Sequence, residues 1–269
     1  MKSILITGST DGIGKLAAKK LAEEGHTIFL HGRNKEKIES CVNEIRKASG
    51  SITVFGAQAD FSNLKEVKAF GKKTAFQLPK LDVLINNAGV FKTKMVHQSK
   101  EVDVRFKVNY LAPYLLTHAL LPVLKKANAP KVINVSSAAQ APVSLDALKG
   151  DIQLTMQESY AQSKLALTMW SFDLAKSHKD LSVIAVNPGS LLNTKMVQEA
   201  YGHHWSSADK GANILFDLAV SAEFEGNSGK YFDNDKDDPR GWFAKAHPDA
   251  YSEVKIKALV KTTEQLFST

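Results

Sequence analysis

The fold is decided near the N-terminus by Lys2-Ser3-Ile4-Leu5-Ile6-Thr7-Gly8-Ser9-Thr10-Asp11-Gly12-Ile13-Gly14. The apolar run up to Thr7 predicts a short buried strand, and the pattern Lys15–Glu24 that follows the glycines predicts a helix. Glycines let a backbone approach a pyrophosphate closely, and a helix N-terminus attracts its negative charge. An ordinary tight strand–helix turn is the alternative. Read as a dinucleotide site, the turn offers six candidate cofactor-binding positions: Gly8, Ser9, Thr10, Gly12, Ile13 and Gly14.

Six further strand-like segments follow this first one, with helical patterns between them. They lie near His26–Leu30, Ile52–Ala57, Leu81–Ile85, Lys131–Val135, Leu181–Val186 and Gly229–Phe232. Regular alternation of strands and helices predicts an α/β fold, a parallel sheet with helices on both faces. The sequence shows no internal repeat and no low-complexity linker, so we expect a single domain over residues 1–269.

Polar residues follow two of these strands. Asn86-Asn87-Ala88-Gly89 follows one, and Ser136-Ser137 follows another. Carboxyl ends of parallel strands form the ligand crevice of such sheets. Asparagines and serines at strand ends also serve as ordinary turn residues, so neither motif alone decides between a ligand site and a turn.

The segment Tyr160-Ala161-Gln162-Ser163-Lys164 carries the chemistry. Four residues make about one helical turn, so the phenol and the ammonium project from one face. A phenol with a pKa near ~10 is a poor acid or base at neutral pH. A neighbouring positive charge favours the phenolate, so we expect Lys164 to lower the pKa of Tyr160. The pair could then move a proton to or from a carbonyl or alcohol oxygen.

Together these motifs closely resemble the short-chain dehydrogenase/reductase family, over nearly the whole chain. The resemblance implies a doubly wound Rossmann sheet of seven strands. It implies that Ser137, Tyr160 and Lys164 are catalytic, with Asn109 supporting a water that relays protons to Lys164. Asn109 could instead be a structural helix residue. Tyr160 and Lys164 also count as cofactor contacts, and the resemblance adds Asp60, Phe61, Asn87, Ala88, Gly89, Pro188, Gly189 and Thr194.

The end of the second strand bears on cofactor choice. NAD-selective proteins place a carboxylate there to bind the ribose 2′-hydroxyl, whereas this chain has Arg33-Asn34. A guanidinium binds a phosphate through two hydrogen bonds. We therefore predict NADP(H) as the preferred cofactor, with NAD(H) also possible. Arg33 could alternatively face solvent, and Asp60 could be a helix-start residue.

Two segments without clear periodicity flank the expected site. Ala138–Ser159, longer than in many family members, is either a surface insertion or a wall of the substrate pocket. Ser190–Ser207 is a candidate substrate lid. Both this insertion and the C-terminal tail, about 233–269, resemble the retinol-dehydrogenase-like branch. Within the lid, His203 and His204 are adjacent, but neighbouring residues rarely present both rings to one ion, so we expect no metal site.

Composition limits the partners. The formal net charge of +7 is spread along helices without basic runs that interleave with aromatics, so we expect no nucleic-acid partner. Cys41 is the single cysteine, which suits a reducing compartment. No secretory signal or membrane span is visible, and we expect a cytoplasmic protein with no integral membrane segment. The resemblance implies a homodimer or homotetramer.

These expectations converge on hydride transfer between a nicotinamide and the carbonyl or alcohol group of a small substrate. Apolar and aromatic residues in the lid favour a lipophilic aldehyde, ketone, retinoid or steroid. Two alternatives remain open at this point. A sugar-nucleotide epimerase or dehydratase shares Tyr-x-x-x-Lys but typically differs in its glycine spacing. A non-catalytic protein that senses NADP(H) or acts as a scaffold would share the fold.

Overall fold

The computed structural model describes residues 1–93, 100–236 and 240–268. Within these ranges the chain forms a single sheet, flanked by helices, and the fold is α/β as predicted. The strands are β1 Ser3–Ile6, β2 Thr27–Gly32, β3 Val54–Gln58, β4 Val83–Asn86, β5 Lys131–Val135, β6 Ser182–Asn187, β7 Lys230–Asp233 and β8 Trp242–Ala244.

The sheet has the order β3-β2-β1-β4-β5-β6-β7-β8. Strands β1 to β3 are added in one direction, and the chain then returns to add β4 on the other side of β1. This change of direction leaves a crevice at the carboxyl ends of β1 and β4. Strands β1 to β7 run parallel, whereas β8 pairs antiparallel with β7. The expectation of seven strands is therefore wrong by one. Trp242-Phe243-Ala244 is too short to show a strand period, and only its pairing with β7 defines it.

Helices connect the strands on both faces. They are α1 Gly12–Glu23, α2 Lys35–Ser49, α3 Leu64–Gln77, α4 Val104–Phe106, α5 Ala112–Leu124, α6 Leu145–Lys149, α7 Met156–Ser177, α8 Lys195–Tyr201, α9 Ala208–Val220 and α10 Glu253–Gln265. A π-helical turn, Lys107–Leu111, joins α4 to α5. Short 3₁₀ turns cover Ala222–Phe224 and Pro248–Tyr251.

The sheet separates two hydrophobic cores. One contains Leu21, Ile45 and Leu215 from α1, α2 and α9. The other includes Leu120 of α5 and Trp170 of α7, together with residues of α3 and α10. Two covered faces explain why the parallel strands are almost continuously apolar rather than alternating.

The C-terminal helix α10 is part of the second core. The Tyr110 hydroxyl lies 2.7 Å from Thr263 Oγ1, and both residues are buried. The ring of Phe267 stacks on Tyr114 with centroids 6.1 Å apart. The end of the chain is thus folded against the helices that carry Asn109 and Tyr160. Residues 237–239 and 269 of the predicted tail lie outside the described residues.

The candidate lid is more regular than its sequence indicates. It contains helix α8, which begins after Thr194, the residue whose hydroxyl accepts a hydrogen bond from the Val197 amide. No residue of α8 is buried, so the apolar spacing that reveals other helices is missing here. Among the described residues, no helix has both the length and the apolar character needed to cross a membrane.

Candidate active site

The glycine turn is packed tightly against the end of β4. Gly8 has φ +61°, and a Cβ atom there would lie 2.7 Å from Ala88 Cα. A Cβ on Gly14 would lie 2.4 Å from Asn87 Nδ2. The Thr7 hydroxyl accepts hydrogen bonds from the amides of Asn87 and Ala88, each 3.0 Å long. Only glycine fits at positions 8 and 14, because neighbouring atoms already occupy the space of a side chain.

Several polar side chains of this region hold the turn in shape. Asn87 Nδ2 donates to the carbonyl oxygens of Thr7 and Gly8, each at 2.9 Å. Ser9 is fully buried, and its hydroxyl donates to the Ile6 carbonyl at 2.7 Å. The structure therefore gives the side chains of Asn87 and Ser9 a structural task within the predicted cofactor site, and the Ser9 amide donates to the His31 carbonyl at 3.0 Å.

His31, which sequence reasoning missed, fixes the turn from the side of β2. Its Nδ1 accepts a hydrogen bond from the Gly8 amide at 3.2 Å, and its Nε2 therefore carries the proton donated to the Ala59 carbonyl at 3.0 Å. The ring stacks on Phe61 with centroids 4.0 Å apart. Burial lowers the pKa of His31 to about 4, so the ring is neutral at physiological pH. The residue carries no local motif, and only the folded contacts reveal it.

The residues predicted to contact the adenosine end follow β2 and β3. Arg33 is exposed directly after β2, and Asn34 caps α2 by accepting from the Lys37 amide at 2.7 Å. Asp60 accepts from the amide and the hydroxyl of Ser62, and Phe61 is buried beneath His31. Asp60 thus organises the turn before α3, whose cap is Asn63. Of these four predicted positions, Arg33 and Asn34 are exposed, and the Asn34 side chain is occupied in the cap of α2.

Ser137, Tyr160 and Lys164 come together at the carboxyl end of β5. Helix α7 begins with a reciprocal cap between Thr155 and Glu158, which sets the helix one turn ahead of Tyr160. Lys164 is buried, and its Nζ donates to the Val135 carbonyl at 2.7 Å. This Nζ lies 5.6 Å from the centroid of the Tyr160 ring.

Burial governs the acidity of both α7 side chains. It raises the pKa of Tyr160 to about 12, although a hydrogen bond with Ser137 opposes the change. It lowers the pKa of Lys164 to about 8. The net pKa of Tyr160 thus departs from its ordinary value in the direction opposite to the one expected, because desolvation of the phenolate outweighs the effects that favour it. Tyr160 is consequently protonated at neutral pH.

Asn109 lies in the π-helical turn Lys107–Leu111, a distortion that often marks functional sites. Its side chain is buried: Oδ1 accepts from the Val90 amide at 2.8 Å, and Nδ2 donates to Ser163 Oγ at 3.0 Å. A Cβ on Gly89 would lie 3.5 Å from Asn109 Oδ1 and 3.6 Å from Lys164 Nζ. The predicted sheet motif and the predicted helix asparagine therefore meet at Lys164.

Residues after β6 close the other side of the turn. Gly189 has φ +122°, and the Pro188 carbonyl accepts from Asn234 Nδ2 at 2.8 Å. A Cβ on Gly12 would lie 3.6 Å from the Thr194 methyl group, so the predicted lid threonine flanks the glycine turn. Nearby, the rings of His203 and His204 pair with the Tyr201 carbonyl and with Gln198, not with each other.

An apolar group that sequence reasoning missed borders Tyr160. The Phe91 ring meets the Tyr160 ring edge-on, with centroids 4.9 Å apart, and lies 5.7 Å from Tyr201 of α8. Met196, also in α8, has its terminal methyl 3.7 Å from a Cβ position on Gly89. Helix α8 therefore contacts Phe91 and Gly89, the neighbours of Tyr160 and Lys164, so the candidate lid borders the candidate active site.

Known proteins share this arrangement. A family model described as short chain dehydrogenase matches residues 2–204. The chain belongs to the short-chain dehydrogenase family. Among curated relatives in its retinol-dehydrogenase-like branch, Retinol dehydrogenase 12 of Mus musculus is 32% identical over 247 residues, covering 87% of this chain and 78% of that protein. Polyprenol dehydrogenase of Homo sapiens is 32% identical over 262 residues, covering 87% and 77%.

Solved structures of other proteins have the same fold. A protein from Mycobacterium Paratuberculosis superposes with a TM-score of 0.79 at 24% identity, covering all of this chain and 94% of that one. A putative short chain dehydrogenase from Escherichia coli CFT073, complexed with NADPH, gives 0.71 at 26% identity, covering 86% and 95%. Membership of this family makes the chain an oxidoreductase that uses a nicotinamide cofactor on CH–OH or C=O groups of small molecules.

The described residues fit such a dinucleotide. Gly8 and Gly14 hold the backbone close to β4, and the N-terminus of α1 begins at Gly12 inside the turn. The crevice continues past Ala88 and Gly89 to Lys164, and the turn Pro188-Gly189 and Thr194 bound its far side. A nicotinamide at this end would lie next to Tyr160.

Proposed function

We propose that the protein is an NADP(H)-preferring reductase or dehydrogenase acting on a small lipophilic carbonyl or alcohol. The observation that carries the proposal is the meeting of Ser137, Tyr160 and Lys164 at the sheet edge that also holds the glycine turn. The bound cofactor supplies or accepts a hydride. The remaining tasks belong to the chain: holding the reacting oxygen, moving one proton and excluding water.

Tyr160 supplies the proton. Its pKa of about 12 keeps the hydroxyl protonated, so in the reductive direction it donates to the carbonyl oxygen as negative charge develops there. Ser137 is hydrogen-bonded to the Tyr160 hydroxyl and would hold the substrate oxygen beside that hydroxyl. Lys164, buried within the helix turn below, stabilises the phenolate that remains after transfer. Asn109 fixes the loop at Val90 from beneath.

Preference for NADP(H) follows from the charge at the end of β2. Arg33 is exposed there, and no carboxylate occupies the positions on either side of it. The Escherichia coli relative at 26% identity, which was solved in complex with NADPH, supports the proposal. The variant Arg33→Ala should weaken NADPH binding about tenfold or more, the effect of losing one charge-assisted contact, with little change for NADH. Lys47→Ala, an exposed cation at the other end of α2, is the matched control. Equal NADPH affinity in Arg33→Ala and wild type would refute the assignment.

A lipophilic substrate fits the aromatic and thioether groups over Tyr160. Phe91 packs against the Tyr160 ring and Tyr201 packs against Phe91, while Met196 lies beside Gly89. Relatives at 32% identity are called retinol dehydrogenase and polyprenol dehydrogenase, names that denote long apolar alcohols. The proposed substrate is accordingly an apolar carbonyl or alcohol such as a retinoid, a steroid ketone or an aromatic aldehyde.

NADPH oxidation across retinal, steroid ketones, aromatic aldehydes and small quinones tests the function. NADH runs in parallel, and Tyr160→Phe serves as the blank. Turnover with an apolar carbonyl that disappears in the blank supports the proposal. Activity confined to small polar carbonyls would refute the substrate class, and absence of turnover with NADPH still bound would refute the catalytic role.

The oligomeric state and the location of the protein remain predictions. Family resemblance favours a homodimer or homotetramer through the helices of Asn109 and Tyr160, and α10 packs on those same helices. Sedimentation velocity of the full chain would decide between a monomer, a dimer and a tetramer. We propose a cytoplasmic location, which fractionation of expressing cells would test.

A further inference from the structure

The carbonyl oxygen of Ser137 receives two side-chain hydrogen bonds. The Tyr231 hydroxyl donates to it at 3.0 Å, and Gln140 Nε2 donates at 2.9 Å. A carbonyl oxygen has two lone pairs, so both are satisfied by side chains at this position. Tyr231 comes from β7, in register with Ala185 of β6. Two donors from separate parts of the chain therefore converge on the backbone of one candidate catalytic residue.

The orientation of the Gln140 amide is fixed from its other end. Its Oε1 accepts a hydrogen bond from the His247 amide at 3.2 Å. A backbone N–H can only donate, so the atom that faces it must be the oxygen, and the nitrogen must face Ser137. His247 begins the 3₁₀ turn Pro248–Tyr251 that leads to α10. The C-terminal segment thus acts on Ser137 through a single intervening side chain.

Tyr231 is suited to be a permanent donor. It is buried, with 3% of its surface exposed. Burial, together with the nearby negative charges of Asp233 and Asp235, raises the pKa of its hydroxyl, which keeps the proton in place. Tyr231 reaches Ser137 through the backbone carbonyl rather than through the reacting groups, so its effect must pass through Ser137.

The hydroxyl of Ser137 shows what this anchoring achieves. Its Oγ accepts from the Ala139 amide at 3.1 Å, which leaves the serine proton to be donated elsewhere. Rotation of the peptide at Ser137 would move Oγ relative to Tyr160. Misplacement of a reacting oxygen by an ångström costs large factors in rate. The carbonyl contacts hold this peptide still.

We propose that Tyr231 and Gln140 are positioning residues for Ser137, and that they couple the C-terminal segment at His247 to the active site. The catalytic meaning of this anchoring rests on the proposed function. The anchoring itself is a physical property of residues 136–140 and can be measured without turnover.

The test uses the full chain with Tyr231→Phe, Gln140→Ala and the double variant. Each single change should lower kcat about fivefold, the factor that one ordinary hydrogen bond represents, without changing the KM for NADPH. The double change should lower kcat by more than the product of the single effects, because either donor alone retains part of the alignment. In a Ser137→Ala background the Tyr231→Phe effect should fall below about twofold, since the hydroxyl to be aligned is gone.

Tyr110→Phe is the matched control, because it removes a buried tyrosine hydroxyl with one side-chain partner in another part of the core. Hydrogen exchange at the Ala139 amide supplies a readout independent of activity. Exchange should quicken in Tyr231→Phe and in the double variant but not in Tyr110→Phe. Unchanged Ala139 exchange, or an equal kcat loss in the Ser137→Ala background, overturns the inference. Quickened exchange without turnover on any carbonyl would instead overturn the proposed function and leave the anchoring intact.

Discussion

The glycine turn, residues 7–14, and the substrate side of the crevice are built in opposite ways. In the turn, Gly8 and Gly14 remove side chains so that backbone packs directly on Ala88 and Asn87. On the substrate side, side chains from distant parts of the chain, such as Tyr231 and Tyr201, reach Ser137 and Phe91. The comparison teaches that the residues of the cofactor turn can be recognised from their short-range spacing, whereas those of the substrate end can be recognised only from long-range contacts.

Burial differs in the same direction. Thr7 and Ser9 in the turn are almost completely buried, whereas α8 has no buried residue. Segments with few buried contacts have low local stability, which is the property expected of a lid. Mutations in the turn should therefore affect folding and binding together, and mutations in α8 should affect substrate selection alone.

The largest expected effect separates chemistry from binding. Tyr160→Phe removes the proton donor and should lower turnover by about 10²–10⁴-fold, the usual contribution of a general acid. NADPH affinity, measured by calorimetry, should remain close to wild type, because the glycine turn is unchanged. Tyr114→Phe, whose ring packs on Trp170 and Phe267 away from the crevice, is the control and should keep its turnover. Turnover of Tyr160→Phe near the wild-type rate would contradict the assignment.

The next effect concerns pH and the cofactor end. The pKa of His31 is about 4 in the folded chain, against an ordinary value of 6.5, so at pH values between these the unfolded chain binds a proton that the folded chain does not. The contribution of this group to the free energy of unfolding is fully present above pH ~6.5. It falls by about 3 kcal/mol as the pH drops to ~4. Urea unfolding across this range should show a steeper pH dependence for wild type than for His31→Gln. Parallel curves would show that His31 is not held neutral by the fold.

Two glycine variants test how closely the glycine turn packs against the end of β4. Gly8 and Gly25 both have positive φ, but a Cβ on Gly25 has no atom within 4 Å, whereas one on Gly8 meets Ala88. Gly25→Ala should cost about 1 kcal/mol of unfolding free energy from backbone strain alone. Gly8→Ala should cost about 2 kcal/mol more, because backbone must move to admit the methyl group. Equal losses in urea denaturation would mean that the turn is not packed against β4 as described.

The smallest effect sharpens the substrate side. Tyr201 is half-exposed on α8, so Tyr201→Ala should change the unfolding free energy by less than about 0.5 kcal/mol. Loss of its contact with Phe91 should raise the KM for an apolar carbonyl severalfold while the KM for NADPH stays constant. Steady-state kinetics with retinal and with a small aldehyde would check this. An equal change for both substrates would argue against a lipophilic wall at α8.

Sequence alone predicted the parallel sheet and the glycine turn, and it placed Tyr160 and Lys164 one helical turn apart, because each of these depends on periodicity or on short spacing. Ser137 joined that pair only through the resemblance to the family. Sequence alone could not determine strand β8, which exists only through pairing with β7, nor helix α8, which buries no apolar stripe. It also indicated the wrong direction for the pKa of Tyr160, since desolvation depends on what the fold places around the hydroxyl. His31, Phe91, Gln140 and Tyr231 became visible only in the tertiary structure, where residues far apart in sequence share hydrogen bonds and ring contacts. Local geometry depends on residues that are neighbours in the sequence, so spacing predicts it. Burial and long-range contacts depend on the whole folded chain, so only the tertiary structure reveals them.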